Sequence, residues 1–143
     1  MKELIELQVN NIAVSREGGY SLLLTDREEK TVLPIVIGPF EAQAIALPLE
    51  GTSTPRPLTH DLIVSFCETF QLNVKQMVIT DIREDTYYAE IQVEKEGELY
   101  RLDSRPSDAV ALALRFDVPI YMATGLIEFT VDYEDLFTDS DDS

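Results

Sequence analysis

A change in hydrophobic period near residue 38 constrains the fold of this chain more than any other feature. Before it, ELIELQVNNIAV, YSLLLTD and TVLPIVIG alternate or are mostly apolar, and short polar turns separate them. This pattern is typical of β-strands. After Gly38, apolar residues recur at helical spacing, and Pro39 suits the first turn of a helix. The pattern predicts three strands and then a helix that ends at Pro48 and Gly51.

The rest of the chain continues to switch between the two patterns. LTHDLIVSFCETF predicts a second helix with Thr59 as its N-cap, and three antiparallel strands follow in NVKQMVITDIRED, TYYAEIQVEKEG and ELYRLDS. Pro106 opens a third helix, in which only Arg115 interrupts the apolar residues from 109 to 116. VPIYMA is predicted as a last core strand, and TGLIEFTVDYEDLF is compatible with helix or strand. The order βββααβββαβ predicts a single α+β domain with about three helices and a mostly antiparallel or mixed sheet.

The charge balance limits the functions open to this chain. Eleven Lys and Arg residues against 27 Asp and Glu give a formal net charge of −16. Nucleic-acid affinity normally comes from basic surface, so the overall field disfavours a phosphate backbone as partner. Any nucleic-acid function must therefore work through a local basic or metal-filled site. The N-terminus lacks the pattern of a signal peptide, and no apolar run approaches the roughly 18 residues of a membrane span, so we expect a cytoplasmic protein without a membrane partner.

Polar residues gather at three predicted helix starts, although the common catalytic motifs are missing. His60 is the only histidine, and it lies beside Asp61 in the first turn of the second helix. Histidine is the commonest general base and a frequent metal ligand. The alternative is that His60 is a partly buried residue with no catalytic role, and that Asp61 only interacts favourably with the helix dipole.

The start of the third helix is a candidate phosphate site. Arg105 presents a planar fork that binds phosphate in two places, and helix N–H groups add donors. The alternative is an internal salt bridge from Arg105 to Asp103 or Asp61. Ser104 or Ser107 is the expected N-cap.

Carboxylates near these helix starts suggest a metal. Glu41 lies in the first turn of the first helix. It either interacts only with the helix dipole or is one ligand in a carboxylate cluster that binds a metal. With Asp61, Asp103 and Asp108 it could surround a hard cation such as Mg²⁺, which takes oxygen ligands. Such a metal would let an acidic protein hold a phosphodiester and supply a hydroxide nucleophile. Spacing alone does not determine whether these side chains converge.

Four motifs in this order resemble the bifunctional nuclease domain family: LPIVIGPFEAQAIA, RPLTHDL, YYAEIQV and LDSRPSDAVALALRFDVPIYM. The resemblance extends from about Met1 to Tyr133, nearly the whole chain. It implies a small α+β domain over residues 1–133, self-association into a homodimer, and the cleavage of RNA and DNA described for plant members. Residues 134–143 are then an acidic tail that we expect to be disordered.

The resemblance carries over to individual positions. It implies a site made of Glu41, Arg56, His60, Asp61, Asp103, Arg105, Ser107 and Asp108. We assign candidate catalytic roles to His60, Asp61, Asp108 and Glu41. Candidate phosphate-binding residues are Arg56, Arg105 and Ser107, and candidate metal ligands are Asp61, Asp103 and Asp108.

Three classes of function follow from these residues. The first is a nuclease that hydrolyses RNA and DNA phosphodiester bonds, with Mg²⁺ or another divalent cation as candidate cofactor. The second is a non-catalytic domain that oligomerises or docks to another protein, which the negative charge favours. The third is a domain that binds phosphate or a small ligand at the Arg105 helix start.

Overall fold

The structure, a computed structural model that describes residues 3–137, contains every element of the predicted order βββααβββαβ. The strands are β1 (Leu4–Val14), β2 (Tyr20–Asp26), β3 (Thr31–Ile37), β4 (Asn73–Arg83), β5 (Thr86–Lys95), β6 (Glu98–Ser104), β7 (Ile120–Ala123) and β8 (Val131–Asp132). The helices are α1 (Pro39–Leu49), α2 (Thr59–Thr69), α3 (Pro106–Phe116) and α4 (Tyr133–Phe137), with a 3₁₀ helix at Thr124–Phe129. The predicted α+β class is confirmed.

The eight strands form one mixed sheet in the order β6-β5-β4-β7-β1-β2-β3-β8. Strands β4 and β7 are parallel, and every other pair is antiparallel. The chain leaves the meander β4–β5–β6 through α3 and returns as β7 beside β4. Parallel neighbours need such a crossover, because a tight turn cannot connect them. Strand β7 therefore joins the two meanders, β1–β2–β3 and β4–β5–β6, into one sheet.

Helix α3 is the centre of the helical layer. Its residues from Ala109 to Ala113 are all buried, and they belong to one core cluster with Met77 and Ile79 of β4. Helices α1 and α2 both pack against α3. Burial of a large aliphatic side chain contributes roughly 1.5–3 kcal/mol, so this apolar contact holds the three helices in place. Their polar N-terminal residues are left at the edge of the core.

The starts of α2 and α3 differ from the sequence prediction. Helix α2 begins at Thr59 and its N-cap is Leu58, whose backbone N–H donates to the carboxylate of Asp61 at 2.9 Å. The N-cap of α3 is Arg105 rather than Ser104 or Ser107. In α2 the carboxylate that satisfies the helix start, Asp61, therefore lies inside the first turn and not at the N-cap. A cap position assigned from Ser or Thr alone is therefore wrong here.

The end of α1 also differs, because the helix continues through Pro48 to Leu49. A proline inside a helix removes one backbone donor, so the carbonyl four residues earlier needs another partner. That carbonyl belongs to Ala44, and the side chain of Arg115 donates to it.

The sequence after β7 is compatible with helix or strand, and the structure shows both: it contains the 3₁₀ helix, β8 and α4. The predicted acidic tail begins within α4, and its residues 138–143 lie outside the described part of the chain. None of the helices within residues 3–137 has the length and apolar character that a membrane span requires.

Candidate functional site

The N-termini of α1, α2 and α3 meet at one edge of the helical layer. Each helix has an acidic residue at its third position, and these residues are Glu41, Asp61 and Asp108. Carboxylates are favoured there, because the first N–H groups of a helix have no partner within the helix. Two of the three carboxylates are linked to His60 and Arg105. We call Glu41, His60, Arg105 and Asp108 the helix-start cluster.

His60 is oriented by Asp108. Its Nε2–H donates to Asp108 Oδ1 at 2.9 Å, and the two side chains are 15% and 31% exposed. Since an ionised carboxylate only accepts hydrogen bonds, Nε2 carries the proton in the neutral ring. Nδ1 then has a free lone pair, and within residues 3–137 no side chain or backbone group bonds to it. The arrangement presents an oriented imidazole base.

Arg105 lies on the other side of Asp108. Its Nε–H donates to Asp108 Oδ2 at 3.0 Å, and its Nη1–H donates to Glu41 Oε1 at 3.1 Å. The predicted alternative of an internal salt bridge between helix ends is thus present, but its partners are Asp108 and Glu41 and not Asp103 or Asp61. Both carboxylates, Asp108 first, raise the pKa of Arg105. The Arg105 side chain is still 65% exposed, so it can contact a molecule in solution.

A glycine leaves room for Glu41. The Glu41 carboxylate folds back toward the start of α1, and a Cβ atom built on Gly38 would lie 2.5 Å from Oε2. Any larger residue at position 38 would displace this carboxylate and weaken its hydrogen bond to Arg105.

Asp108 and Asp61 are both held in the ionised form. Burial alone would raise the pKa of Asp108, but hydrogen bonds from Arg105 and His60 outweigh it and lower the pKa below its usual value. The pKa of Asp61 is lowered by the backbone N–H of Leu58 and then by Arg115.

These two lowered pKa values predict a loss of stability in acid. Protons bind the unfolded chain more readily than the folded one, so the stabilisation is complete above the unfolded pKa of about 3.9 and is lost as the pH falls through the folded values. Urea unfolding of the wild type between pH 7 and pH 2.5 should show this decline. Asp61→Asn and Asp108→Asn should each make it shallower. Asp132→Asn, in exposed β8, is the matched control, and equal declines in all four proteins would contradict the assignment.

Arg115 is the site residue that the sequence analysis missed. Its side chain is only 8% exposed, and its Nε–H donates to Asp61 Oδ1 at 2.8 Å. Its Nη1–H donates to the carbonyls of Ala44 at 2.8 Å and Ala111 at 2.9 Å. The one signal in the sequence was a lone cation in a helix that is otherwise apolar. A buried arginine needs hydrogen-bond acceptors within the protein, but the sequence pattern does not show which groups these are.

The other predicted site residues do not take part in the hydrogen bonds that join the helix-start cluster. Asp61 is turned toward Arg115, Asp103 is exposed on β6 opposite Glu90, and Arg56 is exposed in the loop before α2. Ser107 is buried in the first turn of α3.

The candidate metal ligands do not form one group. Throughout residues 3–137, no three His, Cys, Asp or Glu side chains are arranged to hold a metal ion. Asp61 and Asp108 are each bonded to an arginine, and Asp103 faces solvent.

The fold and the site thus define an α+β domain in which a histidine, an arginine and two carboxylates are joined at converging helix starts. Residues 22–131 of this domain match the family described as the bifunctional nuclease domain. The match covers the whole helix-start cluster. The chain belongs to this family, and the resemblance seen in its motifs is confirmed.

Three relatives show the range of similarity. An uncharacterized protein of Mycobacterium tuberculosis is 42% identical over 106 residues, which are 74% of this chain and 63% of that protein. Bifunctional nuclease 1 of Oryza sativa subsp. indica is 30% identical over 92 residues, or 62% of this chain and 28% of the rice protein. Bifunctional nuclease 2 of Arabidopsis thaliana is 24% identical over 106 residues, or 71% and 32%. The chain thus spans less than two thirds of the length of these relatives.

Proposed function

We propose that this chain is a nuclease that hydrolyses phosphodiester bonds in RNA and DNA. The observation that carries the proposal is the hydrogen bond between His60 Nε2 and Asp108, which leaves Nδ1 as a base while the exposed Arg105 binds the other oxygen of Asp108. The family of the chain, and relatives named bifunctional nuclease in rice and Arabidopsis, support nucleic acid as the substrate. A cytoplasmic location belongs to the same proposal.

In this mechanism His60 is the general base. Its Nδ1 takes a proton from a water molecule as the water oxygen bonds to phosphorus, and the bond from phosphorus to the leaving sugar oxygen breaks. The leaving oxygen takes a proton from solvent. Asp108 is a positioning residue, because it keeps the proton on Nε2 and stabilises the imidazolium that forms.

Arg105 is the proposed phosphate ligand. Its exposed guanidinium can donate to the non-bridging oxygens and offset the charge that develops in the transition state. Glu41 holds one side of the fork, so an arriving phosphate competes with this carboxylate. With His60 neutral, the cluster has one positive and two negative groups. We therefore expect weak binding of substrate, in agreement with the net charge of −16. Phosphate-binding roles for Arg56 and Ser107 remain predictions.

A divalent cation is a separate question. Because the candidate carboxylates do not fit a common metal site as they are arranged, no step above uses a metal. Metal dependence is a prediction that chelation tests directly.

We expect purified wild type to cleave labelled single-stranded RNA and DNA, and His60→Ala to be slower by about 10²-fold or more, the usual effect of losing a general base. Both proteins should be assayed side by side in Mg²⁺ and in EDTA. Loss of wild-type activity in EDTA would support a metal.

Equal activity in wild type and His60→Ala would indicate a contaminating nuclease and contradict the proposal. Cleavage by neither protein would favour one of the two other functions.

A non-catalytic interaction domain is the second candidate, and the outer face of α2 favours it. Leu62, Phe66 and Phe70 recur at helical spacing on this face, and all are largely exposed. The adjacent side of α2, with Ile63, lines an apolar groove of about 280 Å³ together with Tyr100 and Leu102 of the edge strand β6. A surface of this kind is typical of protein contacts, and it supports the predicted homodimer. Wild type that cleaves nothing but sediments as a dimer would favour this function.

A further inference from the structure

The start of α2 is attached to α3 at two separate points. Asp108 and Arg115 are seven residues apart on α3, so they lie on the same face about 10 Å from each other. Their partners on α2 are the adjacent residues His60 and Asp61. One contact would let the first turn of α2 pivot, whereas two contacts set both its position and its orientation.

Helix α1 is attached to α3 in the same way. Glu41 reaches Arg105 at the start of α3, and the carbonyl of Ala44 reaches Arg115 near its end. Pro48 has no N–H to donate to that carbonyl, so Arg115 provides the donor that the helix lacks. The same guanidinium thus joins α1, α2 and α3.

We propose that Arg115 is a positioning residue for His60. By holding Asp61 and the Ala44 carbonyl together, it keeps the first turn of α2 where His60 Nε2–H meets Asp108. Its role in catalysis rests on the proposed function, but its effect on the His60 ring does not. A lysine would replace this action only in part, because a planar fork addresses several acceptors at once and an ammonium group does not.

A purely structural role makes a different prediction. If Arg115 only stabilised the fold, its loss would lower the melting temperature and leave the His60–Asp108 hydrogen bond intact in the folded protein. A readout confined to His60 separates the two roles.

The chain supplies that readout, because His60 is its only histidine. Imidazole ¹⁵N and N–H proton resonances of the full chain therefore report on this ring alone. In the wild type we expect a protonated Nε2 whose proton exchanges slowly with water. In folded Arg115→Met its exchange should be at least about tenfold faster, which corresponds to about 1.4 kcal/mol of easier opening. Arg115→Lys should be intermediate.

The matched control is Arg83→Met, which removes an ion pair with Asp81 within β4. It should leave the His60 resonances unchanged. If Arg115→Met does not fold, Asp61→Asn breaks the ion pair with Arg115 but keeps an oxygen that can accept from Leu58 N–H, and it should also speed the exchange. Unchanged exchange in a folded variant at either position would overturn the proposal.

Cleavage assays distinguish this inference from the proposed function. Faster exchange in a protein without nuclease activity would keep the positioning role and reject only the nuclease. If the wild type is active, Arg115→Met should lower kcat with little change in KM, because the residue does not touch substrate.

Discussion

Asp108→Asn should reduce cleavage of RNA and DNA by about 10²–10⁴-fold while the fold is retained. Asparagine has the same shape, but its amide nitrogen donates a hydrogen bond. Placed against Nε2 of His60, this donor favours the tautomer that carries its proton on Nδ1. Nδ1, which should accept the proton from water, then already carries a proton and has no free lone pair. Single-turnover cleavage rates, together with the ¹⁵N shifts of His60, measure both parts of the effect.

Asp132→Asn is the control for this prediction, since it makes the same chemical change in exposed β8. It should retain wild-type activity and leave the His60 tautomer unchanged. Full activity of Asp108→Asn would remove the pair of His60 and Asp108 from the mechanism, even if the protein proved to be a nuclease.

Arg105→Gln should reduce cleavage by about 10²–10³-fold, the scale of losing one group that stabilises transition-state charge. Its effect on stability should be small. The side chain is 65% exposed, and exposed ion pairs contribute about 1 kcal/mol or less. Arg105→Lys keeps the charge without the fork and should fall between wild type and glutamine. Cleavage rates and thermal melts of the same preparations provide the measurement.

The result decides whether Arg105 belongs to a catalytic site or to a buried ion-pair network that stabilises the fold. If Arg105 served mainly to lock helix ends together in a buried network, its removal would cost about 3–5 kcal/mol. Arg101→Gln is a matched control, because Arg101 forms an ion pair with Glu90 and its side chain is 64% exposed. We expect that variant to keep its activity. A large drop in melting temperature for Arg105→Gln, with cleavage unchanged, would favour the ion-pair network.

Two kinds of stability change are therefore expected around α3. Loss of the exposed Arg105 should change the melting temperature little, whereas loss of the buried Arg115 should lower it, because the Ala44 carbonyl and Oδ1 of Asp61 lose their donor. The two arginines share one helix, but burial separates their roles.

The sequence by itself determined the order of strands and helices. Period-two and helical spacing are local properties, as are the signals of Gly38, Pro39 and Pro106, so they could be recognised without knowledge of the fold. The same local signals also showed that polar residues gather at three helix starts. They were less reliable for the exact helix boundaries: at the start of α2 the side chain of Asp61, and not of Thr59, accepts the backbone hydrogen bond.

Only the tertiary structure decided which acid meets which base. His60 and Asp108 are 48 residues apart, Asp61 and Arg115 are 54 apart, and Glu41 and Arg105 are 64 apart. The contact of Arg105 with Asp108, three residues later, is local, but no spacing identified Glu41 as the second partner of Arg105. The choice depends on how α1 and α2 pack against α3 on the sheet, since that packing sets distances between side chains that no local pattern records.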